Sequence, residues 1–138
     1  VRPTSGSLNL SVSDSLFTNN GYNAILVYPA SGTPVVSVNV DHATIVGNFN
    51  GVGGYSGDAS NSTITINVTR SNLAQNSSYG LWLQGVAKMT VGETVVSKNG
   101  VGFSNASNPN GMYSFGNNMV SDNTTDFTGT SPISKPLH

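Results

Sequence analysis

Five times over in this chain, an apolar residue stands eight positions ahead of an asparagine: Val12 and Asn20, Val40 and Asn48, Val68 and Asn76, Val91 and Asn99, Phe115 and Asn123. The asparagines step by 28, 28, 23 and 24 residues, so units of nearly constant length follow one another with variable connections. Other columns align in the same frame. Four positions before the anchor stand Leu8, Val36, Ile64, Ala87 and Gly111, and two before it Leu10, Val38, Ile66, Met89 and Tyr113. With the anchor this is period-two alternation, the mark of a strand with one buried face. Five positions after the anchor come Phe17, Ile45, Leu73, Val96 and Val120, an inward column on a second short strand. A third strand follows in two units, where Ile25 and Val27 match Leu81 and Leu83.

A unit of this kind cannot bury its apolar face alone and must stack on its neighbours. With about 4.8 Å between strands, five coils make a rod on the order of 24 Å long. A recurrent Asn suits the corner of such a coil, because it tolerates the left-handed region and its amide can bond the equivalent amide one coil along. Composition agrees. About half of the 138 residues are Gly, Asn, Ser or Thr, and only 8% are charged, so the ion pairs of a helical bundle cannot be written. At 36% hydrophobic residues the chain nevertheless carries a core. The expectation is an all-β parallel solenoid of about five coils, one domain over 1–138, with a lead-in at 1–7, coils over 8–127 and a tail or cap over 128–138.

The segments "NVTRSNLAQNSSYGLWL" and "SVSDSLFTNNGYNAILV" resemble the repeat of right-handed parallel β-helix proteins of the pectate-lyase-like kind. The tail from Met112 to Asn118, followed by Asp122-Asn123 and "TGTSPI", is similar to the closing segment of secreted bacterial members. That resemblance implies a right-handed β-helix that is either the C-terminal part of a longer one or a shortened relative, with a secreted or cell-surface location. It implies little about activity, because the architecture carries lyases, hydrolases and adhesins alike.

Charge removes some partners from consideration. Five basic residues and a net charge of −1 offer no electrostatic footprint for nucleic acid or an anionic membrane. The longest apolar run, Ala24 to Tyr28, is too short to span a bilayer. The absence of Cys removes disulfides, thiolate metal sites and thiol nucleophiles. Six Asn-x-Ser/Thr matches occur, as chance provides in a chain this rich in those residues, and no glycan is assigned.

Two groups of residues are candidates for a site. Two positions after each anchor lies an outward column of Asp14, His42, Arg70, Glu93 and Asn117, with Asp41 beside His42. Read plainly it is an exposed ladder of small energetic value. Read as a site, Asp14 and Asp41 flank His42 and favour its imidazolium, while Arg70 takes an anionic group. The related lyases hold calcium in a carboxylate cluster, and here only Asp14 and Asp41 fall close together among Asp14, Asp41, Asp58, Glu93, Asp122 and Asp126. No cofactor or metal is assigned, and calcium belongs to the lyase alternative alone.

The second group is aromatic. Trp82 faces outward between Leu81 and Leu83, with Gly54 expected one coil below it and Leu26 two below. Tyr28, Ser56 and Gln84 form the next outward column. Trp82 and Tyr28 would stack on a sugar ring, with Gln84 bonding its hydroxyls. The competing expectation buries Trp82 beneath a Gly-rich loop running from Gly47 to Ser60.

No amphipathic helix covers either end. The first coil is therefore expected to meet a partner or a second copy, and the Pro-containing tail from Thr128 to fold over the last coil. The function expected is a secreted or surface module, structural or binding, whose partner is a glycan or another protein. The alternative is a carbohydrate-active enzyme, a polysaccharide lyase or glycoside hydrolase or a remnant of one, using Asp14, Asp41, His42 and Arg70.

Overall fold

The computed structural model describes residues 1–29, 31–57, 62–106 and 111–136. Strands follow one another in chain order, three to a coil. The first coil holds β1 (Ser7–Ser13), β2 (Leu16–Thr18) and β3 (Asn23–Val27), and the second β4 (Val35–Asp41), β5 (Thr44–Val46) and β6 (Asn50–Tyr55). The third holds β7 (Thr63–Thr69), β8 (Asn72–Ala74) and β9 (Tyr79–Gln84), and the fourth β10 (Lys88–Gly92), β11 (Val95–Ser97) and β12 (Val101–Asn105). The fifth holds β13 (Met112–Ser114), β14 (Met119–Ser121) and β15 (Thr125–Gly129), after which comes β16 (Ile133–Ser134).

Each strand pairs in parallel with its counterpart in the next coil. The pairing builds a six-stranded first sheet, β1-β4-β7-β10-β13-β16, and two five-stranded sheets, β2-β5-β8-β11-β14 and β3-β6-β9-β12-β15. No helix occurs among the described residues, and none is long and apolar enough to cross a membrane. The molecule is an all-β parallel solenoid, five levels of strand separated by four turns, consistent with a parallel β-helix.

The apolar columns meet along the axis. Val36, Val38 and Val40 of β4 and Ile64, Ile66 and Val68 of β7 are buried, as are Ile45, Leu73 and Val96 of the second sheet. Each such side chain contributes about 1.5–3 kcal/mol on burial. At the first level the same columns end in Leu8, Leu10, Val12 and Phe17, which are only half-buried because no coil lies beyond them.

Two corners in each coil bend the chain through positive φ. The first corner uses Asp14, His42, Arg70 and Glu93, at φ 47, 49, 47 and 51°. The second uses Asn19, Gly47, Gln75, Lys98 and Asp122. A left-handed L-residue costs on the order of 1–2 kcal/mol. Stacking offsets this, since the N–H groups of Asp14, His42 and Arg70 donate to the carbonyls of Asp41, Thr69 and Gly92 one coil along.

The repeating Asn therefore has a different job from the one expected. It does not take the left-handed bend; the residue before it does, and the Asn side chain turns inward. The Nδ2 of Asn20 donates to Oδ1 of Asn48 at 2.7 Å, Asn48 to Asn76 at 3.1 Å, Asn76 to Asn99 at 2.9 Å and Asn99 to Asn123 at 3.0 Å. Each of these Oδ1 atoms also accepts the backbone N–H of the previous Asn. The same Nδ2 groups of Asn48, Asn76, Asn99 and Asn123 reach back to the carbonyls of Phe17, Ile45, Leu73 and Val96.

Three further expectations are corrected. The third strand is present in all five coils, not two, and the stretch read as a loop from Gly47 to Ser60 contains β6. In the fifth coil Met89 pairs with Met112 and Val91 with Ser114, so Met112 rather than Tyr113 continues the inward column, and Ser114 rather than Phe115 stands opposite the anchor. One extra residue before β14 restores the frame, since Val96 pairs with Val120. The tail adds β16 to the first sheet, with Lys135 Nζ resting 4.3 Å from the centre of the Tyr113 ring. At the opposite end, the lead-in places Val1 against β3: its N–H group donates to the Leu26 carbonyl, and its own carbonyl accepts from Tyr28 N–H.

Candidate functional site

The outer face of the third sheet carries the aromatic candidates. Along it Leu26 pairs with Gly53, Gly53 with Trp82 and Trp82 with Ser104, forming one outward column. The residue beneath Trp82 is thus Gly53 and not Gly54, whose place is inward against Ile66 and Leu83. A Cβ on Gly53 would overlap the indole, so the glycine lets Trp82 lie flat across β6. The segment expected to cover the tryptophan lies under it instead. In the next column Gln84 pairs with Tyr55, not Ser56, and Tyr55 stacks on Tyr28 with ring centres 5.0 Å apart.

These shifts share one cause. The corner after Asn48 reaches its strand one residue sooner than the corners after Asn20 and Asn76, because Asn50 pairs with Asn23. The frame of equal steps therefore slips by one within β6.

Trp82, Tyr28 and Gln84 line one groove of about 420 Å³, together with Tyr22, Asn23, Leu26, Asn50, Tyr55, Tyr79, Leu83, Ser104 and Ala106. Tyr79 and Trp82 are tilted by 41° with centres 6.4 Å apart, and Tyr22 stacks on Phe49 across the same distance. Tyr22 is 68% exposed, a large ring held toward solvent by its stacking partner. Asn50 Nδ2 donates to Asn23 Oδ1 at 3.0 Å, while Asn50 Oδ1 accepts from Tyr79 N–H. Trp82 Nε1 is buried without a hydrogen-bond partner among the described residues, a cost of roughly 1–3 kcal/mol held at the floor of the groove. Tyr22, Tyr55, Tyr79, Asn23 and Asn50 were not anticipated. Only Tyr55 carries a signal, its spacing from Tyr28 and Gln84, which becomes a column when corner length is allowed to vary.

The polar candidates gather at the first corner. Arg70 grips Asp41, with Nε 2.9 Å from Oδ1 and a second bond from Nη2 to Oδ2. Thr69 Oγ1 donates to the same Oδ1 at 2.8 Å, and His42 Nδ1 lies 3.3 Å from Oδ2. The Arg70 bonds, then the Thr69 hydroxyl, hold the Asp41 carboxyl well below the usual carboxylate range, and Asp41 in turn raises the Arg70 pKa. Asp14 joins this column through its backbone N–H and its charge acts on Arg70, and the Asn117 side chain closes the column by accepting Glu93 N–H at 3.0 Å. Arg70 is thus engaged by a carboxylate of its own chain instead of being turned toward an anion. Asp58 lies outside the described residues, and among those described no three His, Asp or Glu side chains gather.

No family model matches this chain, and neither a curated protein nor a solved structure does. The groove and the corner are read on their own chemistry.

Proposed function

We propose that this chain is a non-catalytic binding module, secreted or at a cell surface, whose solenoid displays the groove of the third sheet to a glycan. The observation that carries the reading is the convergence of Trp82, Tyr28 and Gln84, with three further tyrosines, on one groove. Aromatic faces take the apolar faces of sugar rings, and amides and phenols take hydroxyls. The solenoid supplies rigidity, since three sheets share one buried core. The pectate-lyase-like resemblance is compatible with a polysaccharide ligand.

Against the enzymatic alternative stands the corner itself. Asp41 is saturated by Arg70, Thr69 and His42, which leaves it a poor base, and the Asp14 side chain makes no hydrogen bond among the described residues. The test is to incubate the protein with a panel of polysaccharides, measuring retention on immobilised polymer and release of new chain ends. Retention that Trp82→Ala abolishes, with no chain ends released, is expected. Release of chain ends that disappears in Asp41→Ala or His42→Ala would overturn the reading in favour of a lyase or hydrolase.

A further inference from the structure

We infer that the groove selects an uncharged oligosaccharide and rejects acidic ones. The inference rests on the glycan-binding reading above and deepens it. Among the described residues none that lines the groove carries a charge. Among the described residues, Asp14, Asp41, His42, Arg70 and Glu93 gather at the first corner, and Lys98 and Asp122 at the second. Two cations that border the groove are already engaged: Arg2 lies over the Tyr28 ring at 5.1 Å, and the Val1 amino group donates to the Leu26 carbonyl. A sugar carboxylate drawn into the groove would lose hydration without gaining a cationic partner from the groove's own lining, which is unfavourable. A neutral sugar has no such penalty.

The groove also holds free capacity of the matching kind. Among the described residues the Gln84 amide makes no hydrogen bond, and neither do the hydroxyls of Tyr22, Tyr28, Tyr55 and Tyr79. These groups both donate and accept, as sugar hydroxyls do. The stacked Tyr28 and Tyr55 rings, the tilted pair of Tyr79 and Trp82, and Leu26 supply the groove's apolar lining. Flat apolar surfaces edged by uncharged hydrogen-bonding groups match a ring whose faces are C–H and whose rim is hydroxyl.

Trp82 is the chain's single tryptophan, so its emission reports on this groove alone. The experiment titrates the protein with neutral oligosaccharides (gluco-, xylo- and manno-configured) and with oligogalacturonates, following Trp82 emission at low and at high salt. Binding of a neutral series with an emission shift, unchanged between the two salt conditions, is expected. Tyr28→Ala should weaken that binding about tenfold. Gln84→Ala, on an exposed side chain that no packing depends on, should weaken it as well, and serves if Tyr28→Ala does not fold. Asp41→Asn should leave it unchanged. Salt-sensitive binding of oligogalacturonates with no response to the neutral series would overturn the selectivity while leaving the glycan reading intact. No response to either class would sink both.

Discussion

At the level of single residues, Asp41 shows how a solenoid corner uses charge. Its neighbours one coil along, Arg70 and Thr69, and His42 beside it in sequence, all favour the ionised carboxylate. The Arg70 side chain is 51% exposed, so the pair is screened and works mainly by fixing the orientation of a strained corner. The sign of its pH dependence follows. A carboxyl whose pKa is lowered on folding stabilises the fold above its unfolded value and loses that contribution as pH falls through its folded value. The wild type is therefore expected to melt above Asp41→Asn at neutral pH, and the gap to begin closing below about pH 4. Melting curves of both proteins across the acid range check it. A gap that persists undiminished into strong acid would show that the corner does not depend on the ionised carboxylate.

At the level of elements, the amide ladder separates buried rungs from open ones. Asn76 is fully buried and serves the Asn48 backbone and side chain, the Ile45 carbonyl and Asn99, so Asn76→Ala strands several groups in the core. The expected loss is about 3 kcal/mol or more, against under about 1 kcal/mol for Asn20→Ala at the exposed first rung, by urea unfolding. Equal losses would mean that the ladder is decoration on corners fixed by their backbone. The ladder was legible in the sequence because each rung needs one residue type at one distance from an apolar anchor. The third sheet was hidden where its strands carry glycine. In β6 the run Asn50-Gly51-Val52-Gly53-Gly54-Tyr55 has no visible alternation, and each glycine answers a neighbour on another coil: Gly51 the Gly80 carbonyl, Gly53 the Trp82 ring, Gly54 the Leu83 side chain. Sequence-local patterns carry no record of such contacts. The groove was half legible for the same reason, with Trp82, Tyr28 and Gln84 placed on the right face while Tyr55 was missed by one residue.

At the level of the whole molecule, stability is shared between neighbouring coils rather than concentrated at one centre. The third coil is covered on both sides, whereas the first exposes half-buried Leu8, Leu10, Val12 and Phe17, and the fifth leaves Phe127 45% exposed. Hydrogen exchange should accordingly be slowest for the amides of β7 and β8 and rise toward both ends. Uniform protection across all five levels would show a single cooperative unit instead. The ladder also gives the rod a direction. Every rung presents its nitrogen to the oxygen of the next, so the amide dipoles add along the axis as peptide dipoles add along a helix, with a negative pole at Asn20 and a positive pole at Asn123. At that positive pole Asn123 Nδ2 meets the Asp126 carboxylate at 2.9 Å. An anion thus neutralises one terminus of a side-chain macrodipole, while the other terminus, at Asn20, keeps an oxygen whose natural complement is one more donor in line.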